Sequence, residues 1–240
     1  MPTLVVVSLT SLVLAISEST AGAEPTPLQT AEELAEQVAT YDRLIAMQAD
    51  DLRLHLERGL VLFKLGRIEA SLADLDRVVE IDASTEPHLW QRGIAQYYAG
   101  AYRDCRQQFE LHRVVNPNDV ENAVWHFLCV CGEAGVDEAR RSILPVGPDA
   151  RVPMAEVYDL FRGQATVEDV LAAAGSSKDA LFYAHLYVGL FLEVAYDAAG
   201  GEALGDDRAL EHIAAAHALE LSHFMGDVAR VHLNLRNHPK

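Results

Sequence analysis

Beyond residue 30 the apolar positions recur every three or four residues, the period of an amphipathic helix, and strand-like alternation is absent. TAEELAEQVATYDRLIAMQA, residues 30–49, opens with a Thr-x-x-Glu capping box at Thr30 and Glu33 and continues with Leu34, Val38, Tyr41 and Ile45 in one stripe. LRLHLERGLVLFKLG follows and breaks at Gly66, after which Ile68, Leu72, Leu75, Val79 and Asp82 keep helical register. The pattern predicts helix, glycine turn, helix. Residues 152–163 read as a short helix, and Thr166 with Asp169 caps another. A long apolar helix follows, holding Gly189 in a close-packing context. The GGEALGDD connector at 200–207 comes next, with GDD as a turn and helix start, and then RALEHIAAAHALE. The tail HFMGDVARVHLNLR carries Phe224, Val228, Val231 and Leu235 on one face, as expected of a helix that caps the end of an array.

The helical pairs repeat at a fixed distance. Gly59 and Gly93 lie 34 residues apart, as do Gly66 and Gly100, Ile68 and Tyr102, Leu75 and Phe109, Val78 and His112, and Ile81 and Val115. A helix–turn–helix unit of that length is the tetratricopeptide (TPR) signature. The first glycine lets two helices approach closely and the second makes the turn. A third unit starts at Glu121, with Phe127 in the close-packing place and Ala139 at the position of Cys105, and Pro145 ends it early. The expected fold is all-α: a TPR-like solenoid of antiparallel helix pairs over residues 24–240. Its units lie near 52–85, 86–119, 120–147 and 179–221, with a degenerate middle and a C-terminal capping helix.

Charge narrows the partners. With 36 acidic against 19 basic residues the formal charge is −17, which repels nucleic acid and anionic headgroups, so neither is expected. Residues 1–23 differ from the rest. LVVVSLTSLVLAI at 4–16 is an uncharged run too short to span a membrane, followed by Ala21-Gly22-Ala23, a small-x-small cleavage form. A signal peptide and an exported, soluble, periplasmic protein are expected, although no Lys or Arg precedes the run; a buried N-terminal strand or helix is the alternative. Cys105, Cys129 and Cys131 make an odd count, so an exported chain keeps at least one thiol free or paired between chains. On a helix, residues two apart sit about 200° apart around the axis, so Cys129 and Cys131 do not share a metal or pair readily. All three are expected as small apolar core residues.

Candidate chemistry is sparse. GxGxxG after a strand, the P-loop, GxSxG and HExxH are absent from the sequence, so no catalytic residue, cofactor or metal is expected. His126 precedes Cys129 by one turn, the spacing of a thiolate–imidazole pair, but an apolar segment of an acidic chain does not activate a thiol. His212 and His217 are five apart, a poor match to a shared helix face. The alternative function is a metal-dependent or hydrolytic enzyme built from His185, Glu193, Glu211, His212, His217 and His223. A protein or peptide partner suits a solenoid better. Candidate groove positions on the first helices are Arg58, Gln91, Arg92, Gln96, Asn122 and His126. Tyr183 and Tyr187 belong to a Tyr183, Tyr187, Phe191 stripe that serves either helix packing or an aromatic grip on a peptide. Tyr97, Tyr98 and Tyr102 pose the same choice, with Tyr102 expected in the core.

RGIAQYYAG at 92–100, NPNDVENAVWHFL at 116–128, VYDLFRGQAT at 157–166 and FYAHLYVGLFLE at 182–193 occur in an order that resembles the bacterial new-lipoprotein-I (NlpI) type of TPR protein. The likeness runs over roughly residues 30–235 by the repeat reading. It implies an all-helical fold, often dimeric, in the periplasm, acting as an adaptor that presents cell-wall hydrolases to a processing protease and carries no catalytic residues. Two departures stand out. The family's lipid-attachment Cys is missing, which implies a soluble exported form, and the GGEALGDD insertion alters the last unit and the partner surface with it.

Overall fold

The computed structural model describes residues 29–198 and 207–238; the leader at 1–23 and all but the last residue of the 200–207 connector lie outside them. The described residues form helices and no strand. The first helix, α1 (Ala31–Met47), begins with the capping box, Thr30 Oγ1 accepting from the Glu33 N–H while the Glu33 carboxylate accepts from the Thr30 N–H. Then come α2 (Leu52–Lys64) and α3 (Ile68–Ile81), a 3-10 turn at Ala83–His88, and α4 (Trp90–Tyr98) with α5 (Tyr102–Val115). The turns between α2 and α3 and between α4 and α5 rest on Gly66 (φ +68°) and Gly100 (φ +73°), a left-handed backbone that disfavours any Cβ.

The third pair, α6 (Val120–Ala134) and α7 (Val136–Ser142), is truncated, and α7 stops at Ser142, ahead of Pro145. Two short helices, α8 (Met154–Arg162) and α9 (Val167–Ala174), fill the middle; α9 carries the Thr166–Asp169 capping box. The last pair is α10 (Lys178–Ala198) with α11 (Asp207–Ala218), followed by α12 (Phe224–Asn237).

Close approach explains the glycines of the first helices. A Cβ on Gly93 would stand 2.8 Å from the Phe109 ring, and one on Gly189 2.6 Å from Ile213 Cδ1. In the third unit Phe127 occupies this place and meets Phe161 of α8 edge-on at 5.1 Å, so α6 packs against α8 as well as α7. One continuous apolar core runs from Phe63 to Val231, and a satellite of Leu34, Val38, Val61 and Leu62 ties α1 to α2.

The cysteines require a correction. Cys105 and Cys129 are fully buried, but as a disulfide between α5 and α6 (Cα–Cα 5.8 Å) rather than as two separate thiols. They face each other across an antiparallel pair, a relation that spacing along one helix does not reveal. Cys131 stays free, its thiol pushed up to about 12 by burial.

α12 packs on α11 and so covers the last pair, but it also reaches back across the array to α2 and α4.

Candidate partner-binding site

Arg58, Arg92 and His126 occupy one position in successive units, 34 residues apart. Each faces an acid 16 residues earlier, on the second helix of the preceding unit. Arg58 donates to Asp42 at 2.6 Å, Arg92 to Asp76 at 2.7 Å, and His126 Nε2 lies 3.5 Å from Glu110. The two arginines also hold their own second helices. Arg58 forks onto Asp74 with two 2.7 Å bonds, and Arg92 donates to Gln108 at 2.8 Å, Asp74 and Gln108 again being equivalent positions. His55 adds a contact to Asp74 at 3.1 Å, and the Asp74 hydrogen bond raises the Arg58 pKa further. Burial lowers that of His126. These side chains staple unit to unit. The ladder also makes α1, through Asp42, the second helix of a partial unit ahead of the first.

The structure thus places the face of the first helix that carries these residues against second helices, with the Arg58 and Arg92 side chains still 22% and 17% exposed. Gln91, Gln96 and Asn122 are buried too, and Gln96 Oε1 and both amide atoms of Asn122 have no hydrogen-bond partner among the described residues. Tyr187 is fully buried and its hydroxyl donates to Glu121. Tyr183, half-buried, stacks between Tyr187 and His223 with ring centroids at 6.3 and 5.9 Å. Phe191 packs on Phe161 at 5.3 Å. The aromatic stripe of α10 is inter-helix packing, and the half-buried Tyr102 covers Gly132.

Glu121 belongs to a hub absent from the sequence reading. Arg151, in the loop before α8, donates at 2.6 Å to each of Asp119, Glu121 and Asp149, while Asp149 accepts from the Val120 N–H. The arginine pins the loop to the start of α6. Burial, reinforced by Asp119 and opposed by Arg151 and Tyr187, pushes the Glu121 carboxyl up to about 7. Thirty residues separate Glu121 from Arg151, and no local pattern links them.

Another first-helix face holds Lys64 and Tyr98, once more 34 apart, with Phe63 and Trp90 beside them. α12 lies across it. Phe224 stacks on Phe63 at 4.9 Å and meets Trp90 edge-on at 5.2 Å. Arg230 donates to the Lys64 carbonyl at 2.9 Å, at the C-terminal end of α2 where the helix dipole favours a cation. Lys64 pairs with Asp227 at 3.7 Å, and the Tyr98 hydroxyl lies 3.1 Å from His232 Nδ1. From α10, Glu193 pairs with Arg236 at 2.5 Å and stands 3.3 Å from His232 Nε2. Burial, with Arg236 nearby, lowers the His232 pKa to about 3, and burial raises that of Glu193.

The histidines and acids proposed for catalysis do not gather at one site. His185 and His212 meet Nδ1 to Nδ1 at 2.9 Å, His223 caps α12 by accepting from the Gly226 N–H, and Glu193 is committed to Arg236. Among the described residues no three His, Cys, Asp or Glu side chains are grouped to hold a metal ion. Cys129, as half of a disulfide, forms no thiolate–imidazole pair with His126. No described helix is long and apolar enough to cross a membrane.

No protein-family model matches the sequence, and no curated protein does either. Among solved structures, a tetratricopeptide repeat protein from Parabacteroides merdae ATCC 43184, a crystal structure at 2.39 Å, is similar with a TM-score of 0.50 and 17% identity, over 86% of this chain and 79% of that one. The shared property is the fold: an all-helical array of the tetratricopeptide type, on which the stapling ladder and the α12 contact are built.

Proposed function

We propose that the protein is an exported helical-repeat adaptor that binds protein or peptide partners in the cell envelope. The observation that carries this reading is the alignment of first helices at a 34-residue period, held rigid by the Arg58, Arg92 and His126 staples, which presents side chains in register to an elongated partner. Export is supported by the leader pattern of residues 1–23. The Cys105–Cys129 disulfide, a bond favoured in oxidising compartments, supports it further. A soluble periplasmic form, a homodimer and a part in cell-wall hydrolase turnover are proposed on the sequence resemblance to the new-lipoprotein-I type. Such an adaptor needs no catalytic residue, metal or cofactor, and the −17 charge supports a protein rather than a nucleic-acid partner.

The test is capture from the native envelope fraction with the chain starting at Glu24. Envelope proteins retained by the wild type, and lost when the array is disrupted by Arg58→Ala with Arg92→Ala, are the expected result. Recovery of cytosolic proteins alone, or of nothing, counts against the adaptor.

A further inference from the structure

The side chains that α12 contacts on α2 and α4 are built like a partner site. Lys64 and Tyr98 are equivalent in successive units, so one straight helix laid across α2 and α4 meets the same position twice. The contact has the anatomy of an interface: an aromatic anchor, Phe224, seated on Phe63 and Trp90, and a polar surround made by Lys64, Tyr98 and Glu193. Charge complements it. α12 carries two arginines and one aspartate in a chain of net charge −17, and both arginines meet acceptors: the C-terminal carbonyl of α2 and the Glu193 carboxylate. The link to α11 is five residues, 219–223, and contains Glu220 at φ +48°, the one non-glycine residue of positive φ among the described residues.

We propose that α12 is an internal occupant of the partner surface, and that the partner is a basic amphipathic helix with an aromatic anchor and two arginines in the places of Phe224, Arg230 and Arg236, which binds α2 and α4 in exchange for α12. The proposal rests on the adaptor reading and specifies its partner. While α12 is docked, a partner's apparent affinity is reduced by the fraction of molecules whose surface is open. Loosening α12 therefore strengthens binding without any new contact.

The probe is a fluorescein-labelled peptide of residues 221–238, added to the full chain and followed by anisotropy. Phe224→Ala in the protein is expected to raise the peptide's affinity by about tenfold or more, as removal of an internal competitor does. Adding Phe63→Ala to that variant removes the gain, and a peptide carrying Phe224→Ala does not bind. A folded Phe224→Ala chain that binds no tighter than wild type overturns the proposal, as does one that dimerises without taking up peptide. If that variant does not fold, hydrogen exchange on the wild type decides: saturating peptide must deprotect the amides of 224–237 and leave those of α4 protected, and unchanged protection overturns the proposal. Envelope partners captured equally by wild type and by Phe63→Ala would sink this inference while leaving the adaptor standing. Capture of none removes the adaptor itself.

Discussion

Acidification should loosen the chain through His232. The imidazole is 2% exposed, and its pKa is held near 3 against an ordinary 6.5. Its neutral form is the one the folded chain accommodates. Above pH 6.5 neither the folded nor the unfolded chain protonates it, and the stability it allows is complete. As pH falls below 6.5 the unfolded chain takes up the proton first, so stability drains away until the folded pKa is reached. At pH 5 the gap from 6.5 is 1.5 units, worth about 2 kcal/mol at ~1.4 kcal/mol per unit. Glu193, whose raised pKa makes stability fall as pH rises, acts in the opposite sense and is present in every chain compared. His232→Gln cannot titrate and can still hydrogen-bond to Tyr98. Urea unfolding followed by helical circular dichroism at pH 7.5 and pH 5.0 reads the difference. With a slope of ~2–3 kcal/mol/M, the wild-type midpoint should fall by about 0.7–1 M more than that of His232→Gln. Equal losses in the two chains, or a larger loss in the variant, would refute the reasoning.

Gly93→Ala should destabilise by ~1–3 kcal/mol, because its Cβ arrives 2.8 Å from the Phe109 ring; adding Phe109→Leu should recover part of that, measured by thermal unfolding. Arg58→Ala removes both guanidinium bonds to Asp74, whose side chain is 6% exposed, leaves His55 against it, and should cost about 3 kcal/mol. Arg141→Ala, at an exposed pair with Glu138, should leave the unfolding midpoint unchanged in the same denaturation series. Thiol titration with Ellman's reagent should find one reactive sulfhydryl in the denatured, unreduced chain and three after reduction. Loss of the 24-residue disulfide loop should lower stability by about 3 kcal/mol on the chain-entropy estimate.

The parts of the fold that repeat could be read, and the parts that close it could not. Gly59, Gly66, Gly93 and Gly100 announce close approach and turn because backbone sterics act at the residue itself. Thr30 and Thr166 announce helix starts for the same local reason. The stapling ladder was also present as a 34-residue recurrence of Arg58, Arg92 and His126 with Asp42, Asp76 and Glu110. Position within the repeat alone suggests a groove for those residues, and the acids 16 residues earlier add a contact to second helices. A buried charge is tolerated where a partner of opposite sign is fixed beside it, so recurrence of both partners together was the signal to weigh. The pairing of α12 with α2 and α4 spans 134 residues at Tyr98–His232 and 166 at Lys64–Arg230, and separations of that kind leave no period along the chain. Arg151 is legible only once the loop is seen against α6.

The return of α12 to the first unit changes what kind of object the array is. In an open solenoid each unit touches only its neighbours, so units can be gained or lost and the ends fray independently. Here Arg230 and His232 must land on Lys64 and Tyr98, and the array between them sets whether they can. Inserting or deleting one 34-residue unit would throw the two ends out of register. The number of repeats is thereby tied to a contact between the two ends of the chain.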